Sequence, residues 1–292
     1  MTGDIFINHN CLDSKKQLFV KNGHQIFECT ICLHRFVEVR DHKNHITNVY
    51  SDSYFFDGKS GYPNYLDEKA VLILAGKRYA KLLSKYMHPG NLLDVGCAAG
   101  FIMKGFEEEG WQCDGIEPND TMASYGRSEM QLNIHTGSFE EYTTNKKYDL
   151  ISLIEVIGHF HDLDKAFKNI SGMLNVGGFV LIESWNEGSA IAKLLGRRWH
   201  EYSPPSVLHW FSDTTITILF NELGFELVAM GHPKKRINVK HAISLLDEKL
   251  PNFMFKKQLF NLTNLWVGKF TLIYPLYDLK WYLLRKQENT TR

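Results

Sequence analysis

Residues 91–100 read NLLDVGCAAG, and the fold can be worked out from this stretch because an apolar segment runs directly into closely spaced glycines. The apolar part, 91–95, predicts a buried strand, and the residues after Gly100 have helical spacing. Gly96 and Gly100 stand at the turn between them, where a residue without a side chain lets the backbone approach a ligand closely. The first amide groups of the helix would then face a ligand above the sheet.

An acidic residue follows at the end of the next predicted strand. Glu117 lies 21 residues after Gly96, where the acid of a nucleotide site accepts hydrogen bonds from ribose hydroxyls. The alternative is a simple turn with a surface glutamate. Asp94 precedes the first glycine by two residues, and its carboxylate would repel a pyrophosphate but attract a cationic amino group. The pattern indicates an adenosine ligand that carries an amino acid, rather than a dinucleotide.

Apolar segments alternate with helix-period segments from residue 91 to about residue 231. The segment 148–156, YDLISLIEV, is continuously apolar and predicts a central parallel strand. This alternation predicts an α/β fold, with an open parallel sheet that helices cover on both faces. Residues 277–286 predict a late strand that pairs antiparallel at one edge of the sheet, with an amphipathic terminal helix as the alternative.

The composition is that of an ordinary globular protein. The chain has 292 residues, 44% of them hydrophobic, and 33 basic residues balance 33 acidic ones. This balance argues against a nonspecific nucleic-acid binder, so no nucleic-acid partner is expected. No apolar run is long enough for a membrane span, no signal peptide is expected from MTGDIFINHN, and five cysteines are too few for a disulfide scaffold. We therefore expect a cytoplasmic protein, and the sequence leaves its oligomeric state open.

Residues 91–231 resemble a class I S-adenosylmethionine-dependent methyltransferase. The family signature is an acid followed by G-x-G-x-G, which here is Asp94-x-Gly96-x-Ala98-x-Gly100. Ala98 replaces the middle glycine, a mild change if its φ is negative. The resemblance implies a Rossmann-like, seven-stranded, mostly parallel sheet with helices on both faces. Further matches are Glu117, Gly137-Ser138-Phe139, Tyr148-Asp149-Leu150, Glu155-Val156-x-x-His159 and Leu174-x-x-Gly177-Gly178.

The resemblance also implies which residues bind the cofactor, S-adenosylmethionine. Most of them lie at the ends of the first four predicted strands of this region. Ser138 stands where the family carries an acid, which leaves that adenine contact open. The implied contacts are Asp94, Gly96, Cys97, Ala98 and Gly100 for the methionine moiety, Glu117 for the ribose, Ser138 and Phe139 for the adenine, and Ile154, Glu155 and Val156 beneath the methyl group; Pro118 is a further cofactor contact.

Methyl transfer from a sulfonium requires alignment of the reactants and a base for the acceptor proton. His159 follows the fourth strand at the ligand-binding edge, and His209 lies in the aromatic loop after the fifth strand; both are candidate catalytic bases. The alternatives are a structural role at a helix start and a packed loop histidine. The loop resembles that of quinone-biosynthesis and sugar- or natural-product-modifying methyltransferases. We therefore expect a small-molecule acceptor that is methylated at oxygen in preference to carbon or nitrogen.

Residues 1–60 contain a Cys29-x-x-Cys32 knuckle, and Cys11 lies 18 residues before Cys29. Zinc sites of this kind use four cysteine or histidine ligands. Because the resembling subgroup often carries an N-terminal zinc ribbon, the resemblance implies a degenerate copy. His9, His24 and His34 are candidates for the fourth ligand, with His9 preferred, and a metal-free ribbon is the alternative. We expect a small, β-rich, ribbon-like module at 1–60, and a methyltransferase domain at 61–292 with a partly helical insertion at about 233–275.

Two other functions stay open. One is a nucleic-acid methyltransferase that uses the N-terminal knuckle for recognition; the zero net charge and the lack of an Asn/Asp-Pro-Pro-Tyr motif weigh against it. The other is a non-catalytic module that binds S-adenosylmethionine or zinc, because Asn8, Ala98 and Ser138 depart from the family pattern. The aromatic stretch 50–65 is hypothesised to be part of a lid over the donor.

Overall fold

The computed structural model of this chain describes residues 11–38, 49–56, 64–234, 236–238, 271–273 and 277–288. Its strands, in chain order, are β1 (Lys15–Lys21), β2 (His24–Cys29), β3 (Arg35–Val37), β4 (Asn91–Val95), β5 (Gln112–Glu117), β6 (Asn133–Thr136), β7 (Tyr148–Ile154), β8 (Leu174–Trp185), β9 (His209–Trp210), β10 (Phe225–Gly231), β11 (Arg236–Asn238), β12 (Thr271–Ile273) and β13 (Leu279–Lys286). Its helices are α1 (Asp52–Phe56), α2 (Lys69–Leu83), α3 (Phe101–Glu107), α4 (Asp120–Glu129), α5 (Leu163–Met173), α6 (Ala190–Leu195) and α7 (Asp213–Glu222).

The main sheet has seven strands in the order β10-β13-β8-β7-β4-β5-β6. The strands from β8 to β6 pair in parallel, and β13 pairs antiparallel with both of its neighbours. The central parallel strand predicted at 148–156 is confirmed, because β7 lies between β8 and β4. The predicted α/β fold with a seven-stranded, mostly parallel sheet is therefore confirmed.

The predicted position of the late strand at 277–286 was wrong. The segment is an antiparallel strand, but β13 lies one place in from the edge, and β10 forms the edge. The reason is burial on both faces, since Tyr282, Leu283 and Leu284 are consecutive and all at most 1% exposed. Tyr282 and Leu284 pack in the apolar cluster on one face, and Leu283 packs in the cluster on the other. β10 pairs with the other side of β13 from Phe225 to Gly231, so β13 has a hydrogen-bonded neighbour on each side.

Short polar side chains begin several of the helices. Asp162 accepts a hydrogen bond from the Lys165 amide at 3.1 Å at the start of α5, and Asn119 accepts one from the Met122 amide at 2.8 Å at the start of α4. Such caps satisfy amide groups that the first helical turn leaves without partners. The cap at Asn119 fixes the backbone directly after Glu117.

The N-terminal strands form a second sheet, in the order β1-β2-β3-β9, in which every pair is antiparallel. Its fourth strand, β9, comes from the long loop after β8, so the two sheets share a covalent connection. Arg35 of β3 adds an ion pair to Glu187 at 2.8 Å. Most of the predicted insertion at 233–275 lies outside the described residues, which include the antiparallel pair β11 and β12. The part of the chain that the structure describes has no helix with the length and hydropathy to cross a membrane.

The inner position of β13 predicts a large loss of stability when Leu283 is shortened. Leu283→Ala should lower the free energy of unfolding by about 2–5 kcal/mol, because Leu283 is fully buried. The control is Val228→Ala in the edge strand β10, where the side chain is 37% exposed and the expected loss is under about 1 kcal/mol. Denaturant unfolding measures both variants, and equal small losses would contradict the inner position of β13.

Candidate functional site

The loop after β4 turns by means of three residues with left-handed backbone conformations. The φ angles are +65° at Gly96, +48° at Ala98 and +75° at Gly100. The amide of Gly96 donates to the carbonyl oxygen of Ile116 at 2.8 Å, which ties the loop to the end of β5. Ala98 would be a mild replacement for glycine only if its φ were negative. Its φ is positive, so the replacement is not mild. An L-residue in this conformation costs roughly 1–2 kcal/mol relative to ordinary helical backbone.

Val156, which follows β7, packs against this loop. A Cβ built on Gly96 would lie 2.7 Å from Cγ2 of Val156, so only glycine allows the loop to come this close to the end of β7. The structure thus brings Val156, predicted beneath the methyl group, next to the loop predicted to hold the methionine moiety. Its neighbour Glu155 has a φ of +58°, which marks a sharp turn at the end of β7.

Glu117 at the end of β5 is held by two backbone amides. Its Oε2 accepts a hydrogen bond from the Ala98 amide and its Oε1 accepts one from the Asn119 amide, both at 2.8 Å. A carboxylate has about four acceptor positions, so further positions remain for the hydroxyls of a ligand. Burial raises the pKa of Glu117 to about 7, which means that its charge is costly without a compensating cation.

Asp94 at the end of β4 is a second buried carboxyl group. Its Oδ1 accepts a hydrogen bond from Oγ of Ser152 at 2.5 Å. Burial raises the pKa of Asp94 to about 7, and the charge of Asp94 adds to the rise in the pKa of Glu117. Neither carboxyl forms an ion pair within the described residues. A cationic ligand would therefore stabilise the ionised form of both groups.

The residues predicted to contact the adenine lie in different surroundings. Ser138 is half-buried at the start of the turn after β6. The ring of Phe139 is 3% exposed and belongs to the apolar core, where its centroid lies 5.8 Å from that of Phe160. Cys97 is buried in the loop, Pro118 is half-buried beside Glu117, and Ile154 ends β7. The structure thus groups Asp94, the glycine loop, Glu117 and Val156, and directs Phe139 into the core.

His159 has a defined tautomer. Its Nδ1 lies 2.8 Å from the carbonyl oxygen of Ser206, which can only accept, so Nδ1 carries the proton and Nε2 carries the lone pair. The hydroxyl of Tyr50 lies 2.8 Å from the same Nδ1 and donates to the same carbonyl at 2.9 Å. Burial lowers the pKa of His159. The ring is therefore neutral at pH 7 and has an acceptor nitrogen suited to a general base.

His209 has both ring nitrogens in hydrogen bonds. Its Nε2 donates to the carbonyl oxygen of Phe160 at 2.9 Å, and its Nδ1 lies 3.1 Å from Nε2 of His34. The rings of His34 and His209 are stacked with centroids 5.0 Å apart. This arrangement joins β9 to the N-terminal sheet and occupies both nitrogens that would exchange a proton.

A small pocket opens at this edge of the sheet, with a volume of about 270 Å³ including space open to solvent. The pocket carries two carboxyl groups and two imidazoles, and no lysine or arginine is among its lining residues. The lining residues are Glu155, Gly158, His159, Ser184, Trp185, Glu201, Val207, His209 and Trp210.

Residues 49–56 overlap the stretch that the sequence suggested as part of a lid, and they contact both the residues after β5 and His159. The side-chain amide of Asn119 donates to the carbonyl of Tyr50 and to Oδ1 of Asp52, each at 3.0 Å. Because Tyr50 also contacts His159, residues 49–56 connect the end of β5 to His159. The sequence analysis did not predict a role in the site for Tyr50, Asn119 or Ser152. The aromatic content of 50–65 was the only signal, and it pointed to Tyr50 alone. Residues 57–63 of the hypothetical lid lie outside the described residues.

Three cysteines of the N-terminal sheet meet in one cluster. The Sγ atoms of Cys11, Cys29 and Cys32 all lie within 4.8 Å of one another, and those of Cys11 and Cys32 are 3.6 Å apart. A tetrahedral zinc site with Zn–S bonds of about 2.3 Å has sulfurs about 3.8 Å apart, so this donor set fits zinc. Hydrogen bonding to Cys32 and burial raise the pKa of the Cys11 thiol. The predicted fourth ligand, His9, lies outside the described residues.

Comparison with known proteins gives a family and a fold. A family model described as a methyltransferase domain matches residues 71–230, more than half of the chain. The ubiquinone biosynthesis O-methyltransferases of Rickettsia felis and Rickettsia canadensis are each 26% identical over 148 residues, which is 44% of this chain and 61% and 63% of theirs. The chain thus spans about three fifths of the length of these curated relatives. The family match confirms the resemblance found in the sequence.

Solved structures agree with this fold at low sequence identity. The magnesium protoporphyrin IX methyltransferase of Synechocystis PCC 6803, solved with bound SAH, has a TM-score of 0.53 and 11% identity, covering 82% of this chain and all of that one. A SAM-dependent methyltransferase of Archaeoglobus fulgidus has a TM-score of 0.50 and 16% identity, covering 76% of this chain and 99% of that one. These similarities support the seven-stranded fold.

The positive φ at residue 98 predicts opposite effects for neighbouring substitutions. Ala98→Gly should be neutral or stabilise the protein by up to about 1 kcal/mol, because glycine adopts φ +48° without strain. Ala99→Gly is the control, since Ala99 is fully buried and does not have a positive φ; it should destabilise by about 1 kcal/mol. Thermal unfolding measures both. Equal destabilisation would mean that residue 98 does not have this conformation.

Proposed function

We propose, because this chain belongs to the methyltransferase-domain family, that it transfers the methyl group of S-adenosylmethionine to an oxygen of a small-molecule acceptor. The observation that carries the proposal is the pair of buried carboxyl groups, Asp94 and Glu117, at the ends of the adjacent strands β4 and β5. Glu117 is bonded to the glycine loop, Asp94 precedes that loop, and neither has an ion-pair partner in the described part of the chain. The names of the O-methyltransferase relatives support oxygen as the methylated atom.

In this proposal the chain binds the donor through groups that are already in place. Glu117 accepts hydrogen bonds from the ribose hydroxyls with the acceptor positions that the Ala98 and Asn119 amides leave open. Asp94 and the loop bind the methionine moiety, and the positive charge of the ligand offsets the cost of ionising two buried acids. Val156 packs beneath the loop and limits the space on that side.

The donor supplies an electrophilic methyl group bonded to a sulfonium sulfur. The leaving group is a neutral thioether, so the enzyme needs no acid to protonate it. The pocket lined by Glu155 and His159 positions the acceptor hydroxyl in line with that methyl group. Nε2 of His159 takes the hydroxyl proton as the new C–O bond forms and the C–S bond breaks, because Nδ1 already holds the ring's proton toward Ser206. His209 is left to a positioning role, since both of its nitrogens are occupied.

We also propose that Cys11, Cys29 and Cys32 bind a structural zinc ion, with the fourth ligand supplied from residues 1–10, where His9 is preferred. The support is the spacing of the three sulfurs and the preference of zinc for thiolate ligands. The domain division at residue 60 remains part of the proposal. The metal would hold the turn between β2 and β3 in place and thereby support the strand that pairs with β9.

Glu117→Gln should weaken binding of S-adenosylhomocysteine by about 10–100-fold, because hydrogen bonds to a charged acceptor contribute about 1.5–3 kcal/mol. The matched control is Asp114→Asn in the same strand, a buried acid paired with Lys146. It should leave the affinity unchanged. Titration calorimetry measures both dissociation constants. The role of Glu117 is refuted if the two variants bind alike.

His159→Ala should lower kcat by about 10²–10⁴-fold while donor affinity stays the same, as expected for loss of a general base. Because the pKa of His159 is lowered, kcat at saturating donor should stay constant as pH falls to about 6.5, the ordinary histidine value, and decline only below it. Donor affinity should fall earlier, because Asp94 and Glu117, with pKa values of about 7, become protonated. The assay follows the gain of one methyl group across a metabolite extract by mass spectrometry, with Glu117→Ala as the blank.

His209→Asn is the control for that experiment. Its packed hydrogen bonds predict a lower melting temperature with most of kcat retained. If the His209→Asn variant stays folded and loses as much activity as His159→Ala, His209 rather than His159 would be the general base.

Purified protein should contain one zinc per chain by elemental analysis, and Cys29→Ser or Cys32→Ser should lose it. Cys113→Ser is the matched control, since Cys113 is also buried but lies outside the thiol cluster. Chelation should destabilise the wild type and Cys113→Ser alike. Zinc content that does not change in the Cys29 and Cys32 variants would show that the cluster does not bind the metal.

A further inference from the structure

The last residues of α6 and the turn after it form an exposed basic and apolar surface. It is named here the leucine–arginine patch and consists of Lys193, Leu194, Leu195, Arg197 and Arg198. The side chain of Leu194 is 81% exposed and that of Leu195 is 39% exposed. No acidic residue occurs from 189 to 199. Because the chain as a whole has no net charge, this run of three cations is a local excess.

The patch is held between two buried anchors. Ala192 and Trp199, on either side of it, are 4% and 0% exposed and belong to one apolar cluster with Ile26 and Trp210. The ammonium group of Lys21 also donates to the carbonyl oxygen of Arg197 at 3.3 Å, which adds a fourth cation at this surface. A core that could cover leucines therefore lies directly beside them, yet the backbone directs both leucines outward.

We propose that the leucine–arginine patch docks this protein onto the surface of a membrane that contains anionic lipids. Arginine and lysine side chains are attracted to anionic headgroups, and exposed leucines can enter the boundary between headgroups and acyl chains. A nucleic acid would use the cations but offers little to the leucines. The combination of both residue types, with no acid among them, favours the lipid surface.

The position of the patch gives docking a consequence for the pocket, and this step rests on the proposed function. The residues after the patch, His200 and Glu201, lead into the pocket wall, where Glu201 and Trp185 line it. The ring centroids of Trp185 and His200 are 4.8 Å apart. Docking would therefore hold one wall of the acceptor pocket next to the membrane, a position suited to an acceptor that resides in the lipid.

The test measures co-sedimentation of the full chain with two kinds of vesicle: phosphatidylcholine alone, and phosphatidylcholine with phosphatidylglycerol in equal parts. The wild type should bind the anionic vesicles, and added salt should weaken the binding. Leu194→Asp/Leu195→Asp should lower the vesicle partition coefficient about tenfold or more, and so should Arg197→Gln/Arg198→Gln, which removes two cations at the membrane surface. The arginine variant tests the patch independently, in case the leucine variant binds poorly because it is misfolded.

Val176→Asp is the matched control. Val176 is 60% exposed but lies near the amino end of β8, whereas the pocket lies at the carboxyl end of this strand. This variant should bind vesicles like the wild type. The proposal is overturned if the wild type does not bind anionic vesicles, or if Val176→Asp loses as much binding as the patch variants. It is also overturned if the patch variants bind vesicles like the wild type but lose affinity for RNA in a gel-shift assay. Vesicle binding needs no methyl donor, so failure of donor binding by calorimetry would be a separate result.

Discussion

Two carboxyl groups buried at adjacent strand ends, without a cation beside them, are the constraint from which the rest of the site follows. Burial raises the pKa of both Asp94 and Glu117 to about 7. A protein gains no stability from such an arrangement, because the charged forms lose hydration without an ion pair to replace it. The glycine loop, the cap at Asn119 and the hydrogen bond from Ser152 all hold these groups in place. The arrangement makes physical sense as a site prepared for a cationic ligand.

The N-terminal sheet contributes to the pocket although it is distant in sequence. Its third strand pairs with β9, whose residues His209 and Trp210 line the pocket. Arg35 reinforces the contact through Glu187 and through the hydroxyl of Tyr202, at 2.8 and 2.6 Å. In this account the thiol cluster acts on the pocket through packing: zinc would order the sheet, and the sheet orders β9.

Much of the sheet could be predicted from the sequence because its inner strands are continuously apolar and its turns carry glycine. The position of β13 could not, since strand pairing between residues 225 and 286 depends on contacts that no local pattern specifies. The positive φ of Ala98 was equally hidden, because alanine gives no sign of a left-handed conformation.

The choice between the two histidines also needed the structure. Both stand at suitable places in the chain, but the carbonyl of Ser206 fixes the tautomer of His159, whereas Phe160 and His34 occupy both nitrogens of His209. These partners lie up to 175 residues away. The role of Tyr50 was hidden for the same reason, since its partners at 119 and 159 are remote in sequence.

The number of protons released when S-adenosylmethionine binds at pH 7 would show whether Asp94 and Glu117 form a site for a cationic ligand. Titration calorimetry in buffers of different ionisation enthalpy gives this number. We expect net release, greater than for S-adenosylhomocysteine, which lacks the sulfonium charge, because the positive charge of the donor favours ionisation of two carboxyls whose pKa values are about 7. The release should disappear at pH 9, where both groups are already ionised. Heats at pH 7 that are the same in every buffer would contradict this role of Asp94 and Glu117.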